Sequence, residues 1–421
     1  MNTFLKELKI ILIYIFIGIF VGYLSLVLVN FIPKDLIRNN VKISSRILIK
    51  QGDMPNMFLK GTTLENFTDA DAISLTFNKD NNPFYDALYA YNYQLVKRKA
   101  FRGVKALKLT AAENTQKLNI YEHSQEWHGY QTLLRPLLIF YDISDLRYLS
   151  FLTVQILLIL VCFNITKAFN NRFAFIPFLF GFEYFNYTFE SITFLFSMDF
   201  CIMLLGCLAI LKAVEKKKDY KYIGRIFAIL AISDSYFSMF NMPILTIAFP
   251  LILWLSLTEY KNHSSISQNN KMVLIFTTYW FSAYTLMTSI KIFITKIFLG
   301  LKNGVYVSKY YSGLLDNKTI MDRVDMAVDL FNNAIERNPI GFHILIILLL
   351  CLLIYSLFNK KLKRFDIQRS IAYIFIALFP FIWIFCLVLA AKIWWVVTYW
   401  CITVYALLQY FWNIAFRKND E

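Results

Sequence analysis

Ile10–Phe31, IILIYIFIGIFVGYLSLVLVNF, is an apolar run without a single charged residue. At ~20 residues per bilayer crossing it is long enough to span the hydrocarbon core as one helix. It is longer than a signal-peptide core and no small-residue cleavage pattern follows it, so it reads as a retained membrane helix. Similar runs recur toward the C-terminus, and 58% of the 421 residues are hydrophobic. Soluble domains are nearer to half apolar and lack repeated runs of this length. The chain is therefore expected to be an all-α polytopic membrane protein. Spans are placed at roughly 9–32, 147–166, 173–189, 192–213, 222–239, 241–258, 272–298, 340–358, 371–390 and 393–415, about ten transmembrane helices in all.

The formal charge of +15 raises the question of nucleic acid, but its placement answers it. Lys6 and Lys9, Lys167 and Arg172, Lys212, Lys216, Lys217, Lys218 and Lys221, Lys360, Lys361, Lys363 and Arg364, and Arg417 and Lys418 flank apolar runs in short loops. That is the positive-inside pattern, and a cytoplasmic N-terminus puts every one of these loops on the cytoplasmic side. Both termini are then cytoplasmic, the bilayer is the partner, and no nucleic acid is expected. The six cysteines lie in or beside apolar spans, which implies neither a disulfide framework nor a zinc site.

This topology divides the chain into a first helix (1–32), an external loop (33–145), a membrane body (146–299), a second external loop (300–339), and C-terminal helices with a short cytoplasmic tail (340–421). In the first loop Asn82-Pro83 opens a predicted helix, Asn as cap and Pro at the first position. Phe84, Leu88, Tyr91 and Leu95 continue it as one apolar face. The basic run Lys97-Arg98-Lys99, with Arg102, Lys105 and Lys108, reads as a solvated or headgroup-facing face, or as a docking surface for an anionic acceptor. In the second loop Val324, Val328, Phe331 and Ile335 recur at helical spacing opposite Asp322, Asp325 and Asp329, the pattern of an interfacial amphipathic helix.

Two clusters in the first loop carry chemistry. Thr68-Asp69-Ala70-Asp71 places carboxylates just outside the first crossing. Joining a sugar to a hydroxyl requires a base for the acceptor's proton, and Asp69 is the candidate; Thr68 or Asp69 as a helix cap is the structural alternative. Asp69 and Asp71 at i and i+2 do not share a helix face, so no cofactor is assigned and a divalent metal stays open. The second cluster is Tyr121–Pro136, YEHSQEWHGYQTLLRP. His128 and Arg135 share a helical face ~10 Å apart, and cationic donors beside a membrane suit a phosphate leaving group. Trp127 and Tyr130 suit the headgroup level, which is equally the aromatic belt of any helix entrance. His123, Asp71 and Asp234 are secondary candidates. Ionisable residues within apolar spans are functional suspects: Glu183, Glu190, Asp199, Asp234, Lys291, Lys296 and Lys392. Of these Asp234 and Lys392 are placed toward the external side.

With those residues in view, the chain resembles multi-spanning GT-C-type glycosyltransferases, in particular bacterial membrane proteins of envelope-polysaccharide assembly. Thr68-Asp69-Ala70 matches where such enzymes keep a catalytic acid. Trp127-His128-Gly129-Tyr130 with Leu134-Arg135-Pro136-Leu137-Leu138 is similar to their WHGY…LRPLL stretch, and Ser235-Tyr236-Phe237 with Pro243 and Pro250-Leu251 to their SYF…P…PL segment. Pro380-Phe381-Ile382-Trp383 looks like their PxxW. The chain departs from the pattern at Ser238, where an acid is expected, and at Ala390-Ala391-Lys392, where a His-rich stretch is expected; Lys392 then takes the place of the cation. The resemblance implies inverting transfer from a polyprenyl-phosphate sugar to an envelope glycan or lipid-linked acceptor at the bacterial cytoplasmic membrane. Asp69 would be the base, and His128, Arg135, Trp127, Tyr130 and Lys392 would hold the donor. The alternatives are a flippase or transporter of a lipid-linked saccharide, and a scaffold of an envelope assembly complex.

Overall fold

α1 (Asn2–Asn30) is one continuous helix over the stretch that opened the reading. Its outer face leaves Phe16 70% and Phe20 60% exposed, apolar surface that has lipid as its natural solvent. The opposite face buries Ile15, Leu26 and Val27. The computed structural model describes residues 2–55, 64–79, 82–95, 103–115, 118–238, 242–261, 265–300, 338–359, 367–386 and 399–416, with isolated positions between 328 and 336. Lys392, Lys97-Arg98-Lys99, Arg102, Asp322, Val324, Asp325 and Phe331 lie outside the described residues, as does most of 300–339.

After α1 the chain builds a subdomain. It comprises α2 (Lys34–Gln51), α3 (Asn66–Phe77), α4 (Pro83–Asp86), β1 (Tyr91–Leu95), α5 (Gly103–Ala111), β2 (Leu118–Glu122) and α6 (Gln131–Leu137). Ile37, Val41 and Leu48 recur at helical spacing on α2 and meet Ile73, Phe77, Leu107, Tyr130 and Leu134 in a core separate from that of the membrane bundle. The cap expected at Asn82 is present: its side chain accepts from the Phe84 and Tyr85 amides at 3.2 Å. The long helix expected after it is not. α4 stops after one turn, and Tyr91, Tyr93 and Leu95 lie in β1, paired antiparallel with β2 in the register Tyr91↔Glu122 to Leu95↔Leu118. The i, i+4 spacing of Phe84 and Leu88 gives way to the period-two spacing of Tyr91, Tyr93 and Leu95, and aromatic side chains favour the pleated ladder.

The remainder is helical and apolar, as a membrane protein must be. α7 (Ile143–Phe169) starts in a capping box made by Asp142 and Asp145. α8 (Ile176–Glu183) and α9 (Tyr187–Glu190) follow, then α10 (Phe194–Glu215), α11 (Tyr220–Phe237), α12 (Pro243–Tyr260) and α13 (Ile266–Leu299). Beyond the second loop come α14 (Pro339–Phe358), α15 (Ile367–Ala377), α16 (Phe379–Cys386) and α17 (Trp400–Phe416). α12 is the axis, buried from Pro243 to Glu259, and α10, α13 and α17 pack around it.

Among the described residues six helices, α1, α7, α10, α12, α13 and α14, are long and apolar enough to cross a bilayer. The expected ten is corrected accordingly. The stretch 173–189 breaks into two short helices at Asn186, which sits in the left-handed region at φ 58°. The stretch 371–390 is interrupted between α15 and α16, at Leu378 next to Pro380, where a ring without an N–H disrupts the helix. α11 has the length but carries Lys221, Arg225 and Asp234.

Candidate active site

α3 carries the Asp69–Asp71 pair, and the helix sends the two carboxylates in opposite directions. Asp69 is 1% exposed. Its Oδ2 accepts from Arg147 Nη2 at 2.7 Å and Nε at 2.9 Å, and its Oδ1 accepts from the Phe194 amide at 3.0 Å. Phe194 is the first residue of α10, so Asp69 satisfies an orphan N–H of that helix from outside it. Arg147 in turn donates to Asn66 Oδ1 at 2.6 Å and Gln51 Oε1 at 2.9 Å. Burial pushes the Asp69 carboxyl up, against the pull of Arg147. The expected cap of the helix through Ala72, Ile73 and Leu75 is not formed, because α3 already starts at Asn66; Asp69 instead serves the N-terminus of α10, and both its oxygens are engaged.

Asp71 faces the hairpin. Asn92 of β1 donates its amide N–H to Asp71 Oδ1. The amide is oriented by its other end, since Asn92 Oδ1 accepts from Ser74 Oγ at 2.5 Å and from the Tyr93 N–H at 2.8 Å. Asp71 Oδ2 looks at His123 Nε2, 3.9 Å away. Burial raises the Asp71 carboxyl to about 7, although the Asn92 bond pulls it down. Glu126 is pushed up to about 8, by burial and then by the neighbouring Asp71. His123 is lowered to about 4 by burial and is neutral at physiological pH. Two carboxyl groups brought to the neutral range side by side are the usual raw material of proton transfer.

The WHGY stretch forms the wall between this cluster and the membrane. His128 adopts φ 54°. Its Nε2–H donates to the His123 carbonyl at 2.7 Å, which leaves Nδ1 to accept from the Tyr130 hydroxyl at 3.4 Å. Burial, then the nearby His123, holds it well below the ordinary histidine range, so it is a neutral, fully engaged imidazole. Tyr130 is held protonated by the same burial. Gly129 meets Tyr236 so closely that a Cβ would collide with its ring, and its N–H donates to the Tyr236 carbonyl at 2.8 Å. The Tyr236 hydroxyl reaches Ser25 and the Gly22 carbonyl on α1 at 2.6 and 2.8 Å. Two stretches read separately in the sequence, WHGY and SYF, are therefore one packed unit joining the subdomain to α1 and α11.

Trp127 points the other way. Its Nε1–H donates to the Met287 carbonyl at 3.1 Å, and Lys291 Nζ of α13 stands 5.3 Å from its ring while donating to the Leu88 carbonyl at 2.9 Å. Trp127 and Leu88 also line a groove of about 490 Å³ with Phe16, Phe20 and Tyr23 of α1, Phe84 of α4 and Phe298 of α13. The groove is almost wholly apolar, with the buried Lys291 behind its inner wall. Lys291 was read in the sequence only as one of several ionisable suspects. Its partners Trp127 and Leu88 lie some 160 and 200 residues away, and nothing in the local sequence announces them.

The remaining candidates are placed apart. Arg135, 2% exposed, donates through Nε and Nη2 to the Ile32 carbonyl at 3.3 and 2.8 Å and through Nη1 to the Thr76 carbonyl. It ties the chain just beyond α1 to the C-terminal end of α3, and burial lowers it to about 10, still charged. Thr76 is seven residues beyond Asp69, roughly 10 Å along the helix, so Asp69 and Arg135 serve opposite ends of α3. Asp234 and Asp199, each 0% exposed, are in side-chain contact between α11 and α10. Among the described residues no cluster of three or more His, Cys, Asp or Glu has the arrangement of a metal site. The geometry defines a class: an all-α membrane protein with an acid–base cluster enclosed beneath a subdomain and an apolar groove beside it. Compared with family models, with curated proteins and with solved structures, the chain matches none.

Proposed function

We propose that the protein is an integral-membrane glycosyltransferase that moves a sugar from a polyprenyl-phosphate donor to a hydroxyl of an envelope glycan or lipid-linked acceptor. The observation that carries this reading is the closeness of the groove and the cluster across a single wall of side chains. Trp127 and Leu88 line the groove, Lys291 contacts both, and His128 and His123, with ring centroids 6.2 Å apart, lead from there to Asp71. A lipid tail suits the groove. The sugar phosphate would meet Lys291, a cation that stabilises charge developing on the leaving group. Asp71 is the base in this scheme: titrating near 7, it is ionised often enough to accept the acceptor's proton and basic enough to hold it. Glu126, higher by about one unit, stays protonated longer.

This moves the base from Asp69 to Asp71, because both Asp69 oxygens are committed to Arg147 and α10. It also moves the phosphate contact from His128 and Arg135 to Lys291, because the first is neutral and the second lines a different cavity from the apolar groove. The proposed setting is a bacterial cytoplasmic membrane with both termini inside and the subdomain outside, in keeping with the lysine-rich loops at the other end of the bundle.

The test is turnover by the purified protein in nanodiscs, offered a panel of radiolabelled polyprenyl-phosphate sugars with membrane extract as acceptor source. A new glycosidic bond formed by the wild type and lost in Asp71→Asn supports the assignment. Full activity in Asp71→Asn removes Asp71 from the mechanism. A transporter would instead move labelled lipid-linked saccharide across vesicles with no new bond. That reading calls for charge midway through the bundle, whereas Asp199 and Asp234 lie within two turns of the subdomain end of α10 and α11.

A further inference from the structure

On the other side of α4 from the apolar groove, where the chain leaves α1, a separate cavity of about 270 Å³ lies between Asn30, Lys34, Lys79, Pro83, Asp86 and Arg135. Three cations and one carboxylate line it, a net of two positive charges. The cations are not spread over an open surface: Arg135 is 2% and Lys79 7% exposed. Both are fixed by donating to backbone carbonyls, Arg135 to Ile32 and Thr76 and Lys79 to Asp86 at 2.9 Å. Lys34 stands 4.3 Å from the Phe77 ring and 3.8 Å from Glu113, and burial lowers its ammonium pKa against the pull of Glu113.

Asn30 supplies the decisive observation. It is 7% exposed, and neither Nδ2 nor Oδ1 has a hydrogen-bond partner among the described residues. A buried amide with both ends unsatisfied is costly, and here it lines a cationic cavity. Side-chain N–H and N⁺–H groups converging on a small recess are the donor set that phosphate oxygens accept from.

We infer that this cavity is a binding site for a phosphate-bearing anion, distinct from the proposed transfer site and independent of whether transfer occurs there. Its position at the end of the first membrane helix suits the phosphate of an anionic lipid headgroup, and its size also admits free pyrophosphate. Lys79 and Arg135 hold backbone carbonyls and are unsuited to mutation, whereas Asn30 and Lys34 can be changed without breaking those bonds.

The experiment follows the unfolding midpoint of the full chain in nanodiscs. One arm titrates inorganic pyrophosphate into phosphatidylcholine discs, and the other replaces part of the phosphatidylcholine with phosphatidylglycerol. Wild type is expected to be stabilised in at least one arm, and which arm identifies the source of the anion. Asn30→Leu should shift half-saturation to about tenfold higher anion, as should Lys34→Gln, the loss of about one charge-assisted or amide contact each. Asn30→Leu should also be more stable than wild type without anion, because it removes two unsatisfied polar atoms, a result that a merely structural asparagine would not give. Lys105→Gln, which removes an exposed subdomain charge, should leave half-saturation unchanged. No stabilisation in either arm, or the same half-saturation in Asn30→Leu as in wild type, overturns the site; an equal loss in Lys105→Gln reduces it to general surface charge and overturns it as well.

Discussion

Asp69 and Asp71 stand two residues apart in one helix and are both buried, yet their surroundings do opposite work. Around Asp69 both oxygens have donors: Oδ2 has the guanidinium of Arg147, itself steadied by Asn66 and Gln51, and Oδ1 has the N-terminal amide of α10. Around Asp71 one oxygen is held by Asn92 while the other faces a neutral histidine, with a second carboxyl close by. A compensated buried charge fixes structure, and an undercompensated one keeps its proton negotiable. The two sides of α3 thus divide into a joint and a candidate reaction centre.

Exchanging the two aspartates separately breaks that comparison most directly. Asp71→Asn removes the proposed base while keeping the Asn92 contact, and is expected to lower transfer by about 10²–10⁴-fold with normal expression and an unfolding midpoint no lower than that of wild type. Asp69→Asn is expected to act on folding instead. It leaves Arg147 buried without its counter-charge and is expected to cost about 3–5 kcal/mol, read from denaturant unfolding. A cycle with Arg147→Gln should show strong coupling between the two. If Asp69→Asn folds normally and only activity disappears, the assignments are the wrong way round.

The pH dependence of stability sharpens the same contrast. The Asp71 carboxyl is raised from 3.8 to about 7 in the folded chain, so the native state binds its proton more tightly than the unfolded state. Its contribution is complete below about pH 4 and is lost as pH rises toward 7, up to ~4 kcal/mol. Asn cannot titrate, so Asp71→Asn should gain stability relative to wild type from about pH 4 to about 7 and hold the gain above. Parallel curves would show that Asp71 titrates normally. If transfer depends on this base, its rate rises through the same window.

What the sequence made legible follows from range. The membrane body rests on uncharged runs such as Ile10–Phe31, where composition alone decides. The subdomain core was not read from the sequence, although Ile37, Val41 and Leu48 carry a helical period. Thr68-Asp69-Ala70-Asp71 was legible as a cluster, but the roles of its members were not. Residues i and i+2 differ by about 200° around a helix, and what each meets is set by Arg147 and by Asn92, distant in sequence. The spans at 173–189 and 371–390 read as continuous because hydropathy does not register a left-handed Asn186 or the break beside Pro380. β1 was read as helix because Tyr91 and Leu95, four residues apart, satisfy both periods until a partner strand is known.

The joint between subdomain and bundle offers a smaller effect. Gly129 lies against the Tyr236 ring and carbonyl, and Tyr236 is itself held by Ser25 and Gly22, so neither side yields easily. Gly129→Ala is expected to cost about 1–3 kcal/mol through overpacking, seen as a lower unfolding midpoint. An unchanged midpoint would mean that the loop shifts freely, and the wall between cluster and groove would then be less rigid than its contacts imply.

The smallest effect tests whether the groove depends on α4. Asn82 caps that single turn through two amides, and Phe84 and Leu88 of the same segment line the groove. Asn82→Ala is expected to cost about 1 kcal/mol, below what ends folding but enough to fray a one-turn helix that has little cooperativity of its own. Amide exchange should then speed up at Phe84 and Tyr85 and stay unchanged at Asp69 and Asp71, which hang on α3. Faster exchange at α3 as well would show that groove and cluster open as one unit. The separation between a rigid joint, a proton-bearing centre and an adaptable lipid wall would not hold.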